Sequence, residues 1–211
     1  MRPAPLLVLS LVAAGACNWE RPPEKKPINC YLADSRDLMN VRRIMVLPFG
    51  EEPGLGSDRE RIRSAFITEL QKLRRFEIVP LPESASEVEG LNATVREGRV
   101  STEAVVALAD RYHLDGVLTG IVTDWRPYMP QHLGLRTQLY SVHSGTAVWA
   151  VDALYDAADR STISDIAHYH ETFEADDGSL HGRDMTLIAP TRFAAYVAHR
   201  VVGTWSSESS D

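Results

Sequence analysis

The chain has only two cysteines in 211 residues, Cys17 and Cys30. That excludes the disulfide framework that holds small secreted domains together. Basic residues are in deficit: 22 Lys and Arg stand against 29 Asp and Glu, a formal charge of −7. With no basic stripe, a nucleic-acid partner is excluded, because such binding rests on phosphate neutralisation. No apolar run reaches the roughly 20 residues that a helix needs to cross a hydrocarbon core. No internal repeat is present.

Catalytic signatures are missing as well. No G-x-S-x-G elbow follows a strand. Gly54-Leu-Gly56 precedes a helical pattern but lacks the Lys and the further glycines of a phosphate loop. His168, His170 and His181, with Glu171, Asp176 and Asp177, are the one grouping that suggests a metal. On a helix His168 and His170 point about 200° apart, whereas metal ligands there prefer i and i+4. A solvated helix end is the better reading. Asp152, Asp156, Asp159 and Asp165 form an acidic run without the glycine that a calcium-binding turn requires. The expectation is therefore a protein that is not an enzyme and holds no cofactor. A periplasmic hydrolase or metal-binding protein using the His/Asp region is a lesser alternative.

What is present begins at the N-terminus. Arg2 and the amino terminus supply positive charge, and Leu6–Ala14 (LLVLSLVAA) is apolar. Nine residues are too few to span a bilayer, so residues 1–16 read as a signal peptide. Ala14-Gly15-Ala16-Cys17 resembles a bacterial lipobox, with Ala14 where Leu is usual, and it also satisfies the ordinary A-x-A cleavage rule. Both peptidases would cut after Ala16. The two readings are a Cys17 that carries lipid and a plain secreted chain in which Cys17 pairs with Cys30. The tether favours lipid, because Pro22, Pro23 and Pro27 with Lys25 and Lys26 form a stiff, solvated spacer. Cys30 is then an odd thiol, free or paired with another chain. Cleavage removes one Arg and no acid, so the mature charge is −7 − 1 = −8. Anionic lipid repels such a surface, and the Cys17 anchor must hold the protein on the bilayer.

Residues 17–40 read as anchor and tether, 41–205 as one globular domain and 206–211 as a flexible tail. Ile44–Leu47 is a continuous apolar run stopped by Pro48, which predicts a strand covered on both faces. Gly50–Gly56 reads as loop. Ser57-x-x-Glu60 is a capping box, and Ile62, Phe66, Leu70 and Leu73 follow at helical spacing, so 58–74 is expected to be helical. A short strand follows at Phe76–Val79. Ser101 caps a second helix, with Val100 and Val105 as its staple and Val105, Leu108, Ala109 and Tyr112 on its buried face. Asp115–Asp124 reads as the central strand. Leu135–His143 and Ala147–Tyr155 read as a hairpin around Ser144-Gly145-Thr146. A helix over Ser161–Phe173 is expected to turn Ile163, Ile166 and Phe173 inward, and Ala175–Gly182 reads as loop. Pro190 opens a last helix, striped by Phe193, Val197 and Val201 and ended by Gly203. The order β-α-β-α-β-β-β-α-α implies an α/β (α+β) fold, a mixed sheet of about five strands with helices packed on it.

Three segments carry a resemblance. Arg43-Ile-Met-Val-Leu-Pro-Phe49, Leu114-Asp-Gly-Val-Leu-Thr-Gly-Ile-Val122 and Ser144-Gly-Thr-Ala-Val-Trp149 stand in this order. They resemble segments of the curli-secretion lipoprotein CsgG, and are similar to the penicillin-binding-protein activator LpoB and the N-terminal domain of TolB. The resemblance covers about residues 41–155. It implies a lipid-anchored periplasmic α/β domain that assembles with itself or docks onto an envelope protein; the location expected is the periplasmic side of the envelope, at the outer membrane rather than the inner. It implies no catalytic residues. The function expected is a non-enzymatic interaction or assembly module of the cell envelope. The alternative is a subunit of an outer-membrane secretion pore, which the short Ser144–Thr146 turn and its charged strands disfavour. Trp125-Arg-Pro-Tyr-Met-Pro130 is the candidate contact loop, because Trp125, Arg126 and Tyr128 are residue types enriched at binding hot spots.

The anchor predicts a mature chain that begins at Cys17 and carries acyl groups. Intact mass spectrometry checks this, and the bare mass of residues 17–211 is the contrary outcome.

Overall fold

In the computed structural model the described residues are 25–33, 35–51, 58–82, 101–173 and 182–205. The signal peptide, Cys17, Ser57, Val100, Asp176, Asp177, His181 and the Ser206–Asp211 tail lie outside them.

The apolar run after Val41 forms β2 (Arg43–Val46), whose Ile44, Met45 and Val46 are all buried. Ile44 and Val46 face one hydrophobic cluster and Met45 the other, as expected of a strand with both faces covered. Pro48 lacks an amide for the ladder and interrupts the strand. The chain resumes immediately as β3 (Gly50–Glu51), which pairs parallel with Ile121 and Val122 of β5 (Gly116–Arg126). Gly50 and Glu51 are thus strand, where loop was expected. Phe49, fully buried, lies across Gly120, where a Cβ would stand 2.7 Å from its ring carbons. Only glycine permits that approach.

Helix α2 (Asp58–Lys72) buries Ile62, Phe66 and Leu70 and leads to β4 (Glu77–Val79), which pairs parallel with β2. Helix α3 (Thr102–Tyr112) starts as its sequence dictates: the Ser101 hydroxyl accepts from the Ala104 amide at 3.1 Å. It buries Ala104, Val105, Leu108 and Ala109. β5 then pairs parallel with β2 and antiparallel with β6 (His132–Ser141), and β6 pairs antiparallel with β7 (Ala147–Asp156). Gly145, at φ 67°, takes the left-handed turn of the β6–β7 hairpin.

Two elements stand where a tether was expected. β1 (Asn29–Leu32) pairs antiparallel with β7 from Asn29–Asp152 to Leu32–Trp149, and α1 (Ser35–Asn40) follows. The folded unit therefore starts before residue 41. Local sequence concealed this: Asn29-Cys-Tyr-Leu32 has little apolar pattern because the strand lies at the edge, largely exposed. The sheet has seven strands in the order β1-β7-β6-β5-β2-β4, with β3 beside β5.

Helices α4 (Arg160–Phe173), α5 (Gly182–Ile188) and α6 (Pro190–Val202) complete the chain, followed by a 3-10 turn, Gly203–Trp205. Helix α5 begins at Gly182, which had been expected to end a loop. In α4 the inward residues are Thr162, Asp165, Ile166 and Tyr169. Ile163 and Phe173, expected inward, are exposed. The inward stripe follows 162-165-166-169, and its polar members hid it from a reading by hydrophobicity.

The larger core includes residues of α2, α4 and α6 on one face of the sheet, and the smaller core, Met45, Leu47, Val105, Leu108, Ala109, Leu114 and Val117, lies under α3 on the other. Leu118 of β5 has no exposure. Leu118→Ala is expected to lower stability by roughly 2–5 kcal/mol in urea unfolding; a loss below about half a kcal/mol would contradict a central position for β5.

Candidate functional site

The sequence pointed to Trp125, Arg126 and Tyr128 as one contact surface. The structure divides them. Along β5 the buried side chains of Leu118 and Val122 alternate toward the larger core. The pairing with β6 then shifts between Val122 and Asp124, a bulge that reverses the alternation. Trp125 now pairs with Leu133 on the core side, packs against the larger cluster, and donates its indole N–H to Asp58 Oδ2 at 2.9 Å, at the start of α2. Arg126 turns to the opposite face. Its Nε donates to the Pro130 carbonyl at 2.6 Å, and its Nη2 lies 2.9 Å from His132 Nε2. Trp125 and Arg126 are therefore strand residues tied into the fold. Tyr128, 79% exposed, and its neighbour Met129, 66% exposed, project from the β5–β6 connection.

His132 also touches Asp156 (3.1 Å) and Asp124 (3.4 Å), but through different ring nitrogens. The two carboxylates therefore flank the imidazole and do not converge on one point. No group of three or more His, Cys, Asp or Glu suited to a metal occurs among the described residues. The acidic run is likewise dispersed. Asp152 pairs with Arg136 (2.7 Å) on the sheet surface. Asp156 accepts from the Ala158 amide. Asp159 caps α4, accepting from the Ser161 amide at 3.1 Å and its hydroxyl at 2.7 Å. Those hydrogen bonds, with a further one from Lys26, hold its carboxyl below the usual range. Asp165 is buried, and its Oδ2 accepts from the Tyr196 hydroxyl (2.6 Å) and Arg200 Nε (2.7 Å) of α6. Burial pushes the hydroxyls of Tyr155 and Tyr196 above the ordinary phenol range, so both stay neutral, and that of Tyr196 remains the donor to Asp165.

Sequence reasoning missed a clamp on the chain that enters the domain. Lys26 Nζ donates to Thr162 Oγ1 (3.1 Å), pairs with Asp159 (3.3 Å) and sits 5.0 Å above the centre of the Tyr155 ring. Arg200 Nη2 donates to the Lys26 carbonyl at 3.1 Å. One residue of the presumed tether is thus held by β7, α4 and α6 together. A solvated Lys in a Pro-rich stretch gave no signal of this. Its partners are 129 or more positions away, since Tyr155 is the nearest in sequence.

The outer face of β1, β7, β6 and the end of β5 carries exposed side chains of the sheet. The Arg136–Asp152 pair, Gln138, Leu154 (56% exposed) and Tyr31 (56% exposed) stand on it. β6 and β7 each pair on both sides and turn their other face into the core. The hairpin is thus an integral part of the sheet, as its short turn implied. No helix among the described residues is long and apolar enough to cross a membrane.

No protein-family profile matches the chain, and no curated protein matches it. Solved structures do show likeness, at low identity. A PelC dodecamer from Paraburkholderia phytofirmans is 14% identical, with a TM-score of 0.45, over 66% of this chain and 89% of that one. The lipoprotein GNA1162 from Neisseria meningitidis is 14% identical, with a TM-score of 0.43, over 65% and 99%. The C-terminal domain of LpoB from Escherichia coli is 12% identical, with a TM-score of 0.41, over 54% and 82%.

A second buried carboxylate yields a prediction. Glu69 of α2 is buried and lies 3.0 Å from His199 Nδ1 of α6, with Lys72 as its other partner. Burial raises its carboxyl, but the hydrogen bonds and charges of His199 and Lys72 outweigh this and leave it below its ordinary value of 4.5. A lowered carboxyl contributes stability above its unfolded value, and that contribution is lost as pH falls through the folded one. Glu69→Gln is therefore expected to be less stable than the parent at neutral pH. The difference should close as pH falls below the ordinary glutamate range, as read by urea unfolding across pH.

Proposed function

We propose that the protein is a lipid-anchored module of the bacterial cell envelope that works by contact, on the periplasmic side and at the outer membrane rather than the inner. The observation that carries this reading is the clamp on Lys26. A signal peptide and lipobox-like Ala14-Gly-Ala-Cys17 stand only nine residues before a Lys that the folded domain grips from three elements. A chain gripped there transmits the position of its anchor to the domain, which a free tether does not.

The surface offered to a protein partner, whether another envelope protein or a second copy, is the uncovered sheet face around Leu154, Tyr31 and the Arg136–Asp152 pair. It mixes exposed apolar groups with an ion pair in which two Arg136 nitrogens donate to one Asp152 oxygen, the composition of a polar, non-obligate interface. Catalysis is not part of this reading, because the acidic and His groups described above serve in caps, pairs and clamps. The pairs flanking His132, for instance, leave no base aimed at a nucleophile.

Two measurements test the proposal. Cys17→Ser should move the protein from the membrane to the soluble fraction, since a lipid chain contributes roughly 0.8 kcal/mol per buried CH₂. Leu154→Arg combined with Tyr31→Glu changes exposed positions, so melting should be little altered. The same double variant should weaken co-purification of a cross-linked partner, or sedimentation-detected self-association, by roughly tenfold or more, about 1.4 kcal/mol. Unchanged association would remove this face from the proposal.

A further inference from the structure

We infer that the Tyr128–Met129 tip is a second membrane contact, seated in the lipid headgroup region and aimed there by the Lys26 clamp. The inference rests on the proposed lipidation of Cys17.

The geometry begins with the direction of the chain. β1 runs antiparallel to β7, with Asn29 opposite Asp152, so the residues before Asn29 run toward the C-terminal end of β7. Lys26 is held there, over Tyr155 and against Asp159 and Thr162. The β5–β6 connection lies at that same end. Arg126 pairs with His132, His132 pairs with Asp156, and the Ala157 amide donates to the Gln131 carbonyl at 2.8 Å. The tip and the entry of the tether are thus on one end of the sheet. The hairpin turn at Ser144–Thr146 is on the other.

Reach then decides what meets the tip. From Cys17 to Lys26 is nine residues, 26 − 17. Fully extended, they cover about 30 Å, and less in a Pro-rich helix at about 3.1 Å per residue. An anchor at Cys17 therefore holds this end of the domain toward the bilayer and keeps the opposite end away. The tip suits that place chemically. Pro127-Tyr-Met-Pro-Gln131 carries no charge, and Tyr128 and Met129 are the two most exposed large apolar side chains of the described residues. An amphipathic ring at headgroup level and an uncharged flank avoid the cost of desolvating ions. Both prolines limit the freedom that ordering would remove. On a protein of mature charge −8, an uncharged tip is also where anionic lipid repels least.

The test uses the full lipidated protein in phosphatidylethanolamine–phosphatidylglycerol vesicles, in a Cys30→Ser background. A spin label is placed at Tyr128→Cys, at Met129→Cys or at Ser144→Cys. Collision with oxygen against collision with a water-soluble nickel chelate reads depth. The expected result is strong chelate shielding at 128 and 129 and none at 144. Lys26→Ala should keep the protein on the vesicles yet weaken shielding at 128 several-fold. Equal chelate access at 128 and 144, on a protein whose mass shows acylation, overturns this inference and leaves the anchor standing. A mass without acyl groups overturns both.

Discussion

The fold depends on a single requirement: β5 must be covered on both faces along its first half and on one face along its second. Val117 and Leu118 are both fully buried, on opposite faces, whereas beyond Val122 the strand alternates with exposed Asp124 and Arg126. A strand with two apolar faces needs helices above and below it. The β2-α2-β4-α3-β5 passage supplies them, with α2 in the larger core and α3 over the smaller. Beyond Val122, where β5 leaves that double layer, its strand partner is the antiparallel β6, and no described helix lies over its outer face. The uncovered surface is a consequence of where α3 ends.

The helical layer is fixed differently. Helices α2, α4 and α6 meet through apolar side chains and through two buried carboxylates, Glu69 to His199 and Asp165 to Tyr196 and Arg200. A buried ion pair contributes little net stability against an apolar pair of the same shape, because its desolvation offsets its attraction. Removing one partner alone costs more, since a charge is left uncompensated. Burial of residues such as Leu118, Phe66 and Trp149 therefore supplies the driving force, at roughly 25 cal/mol per Å². The carboxylates constrain which turn of α4 and of α2 meets α6.

The same layer reaches Lys26, ahead of β1. Arg200 serves Asp165 with one nitrogen and the Lys26 carbonyl with another. Packing of α6 on α4 and entry of the chain into the domain are thus coupled through one guanidinium. On the proposed reading the magnitudes divide the labour. Acyl chains at about 0.8 kcal/mol per CH₂ hold the protein to the bilayer. A tip of two side chains, with at most about 1.5–3 kcal/mol for a fully buried Met, serves to orient it.

The sequence by itself determined whatever local periodicity and capping encode. It placed β2, α2, β4, α3, β5, β6, β7, α4 and α6 in order, the Ser101 cap, the Gly145 turn and the central position of β5, because these rest on neighbours within a few residues or on apolar runs. It also carried the lipobox-like Ala14–Cys17 segment, which lies outside the described residues. Tertiary structure alone decided the rest. Asn29–Leu32 became a strand because β7 offers an edge, and Gly50–Glu51 because β5 extends beyond β2. The inward stripe of α4 runs through Thr162 and Asp165 because Lys26 and Arg200 come from far in sequence to meet them. The contact trio of Trp125, Arg126 and Tyr128 was split by the bulge after Val122. A one-residue shift in pairing turns every later side chain to the other face, and no local pattern records on which strand the extra residue will fall.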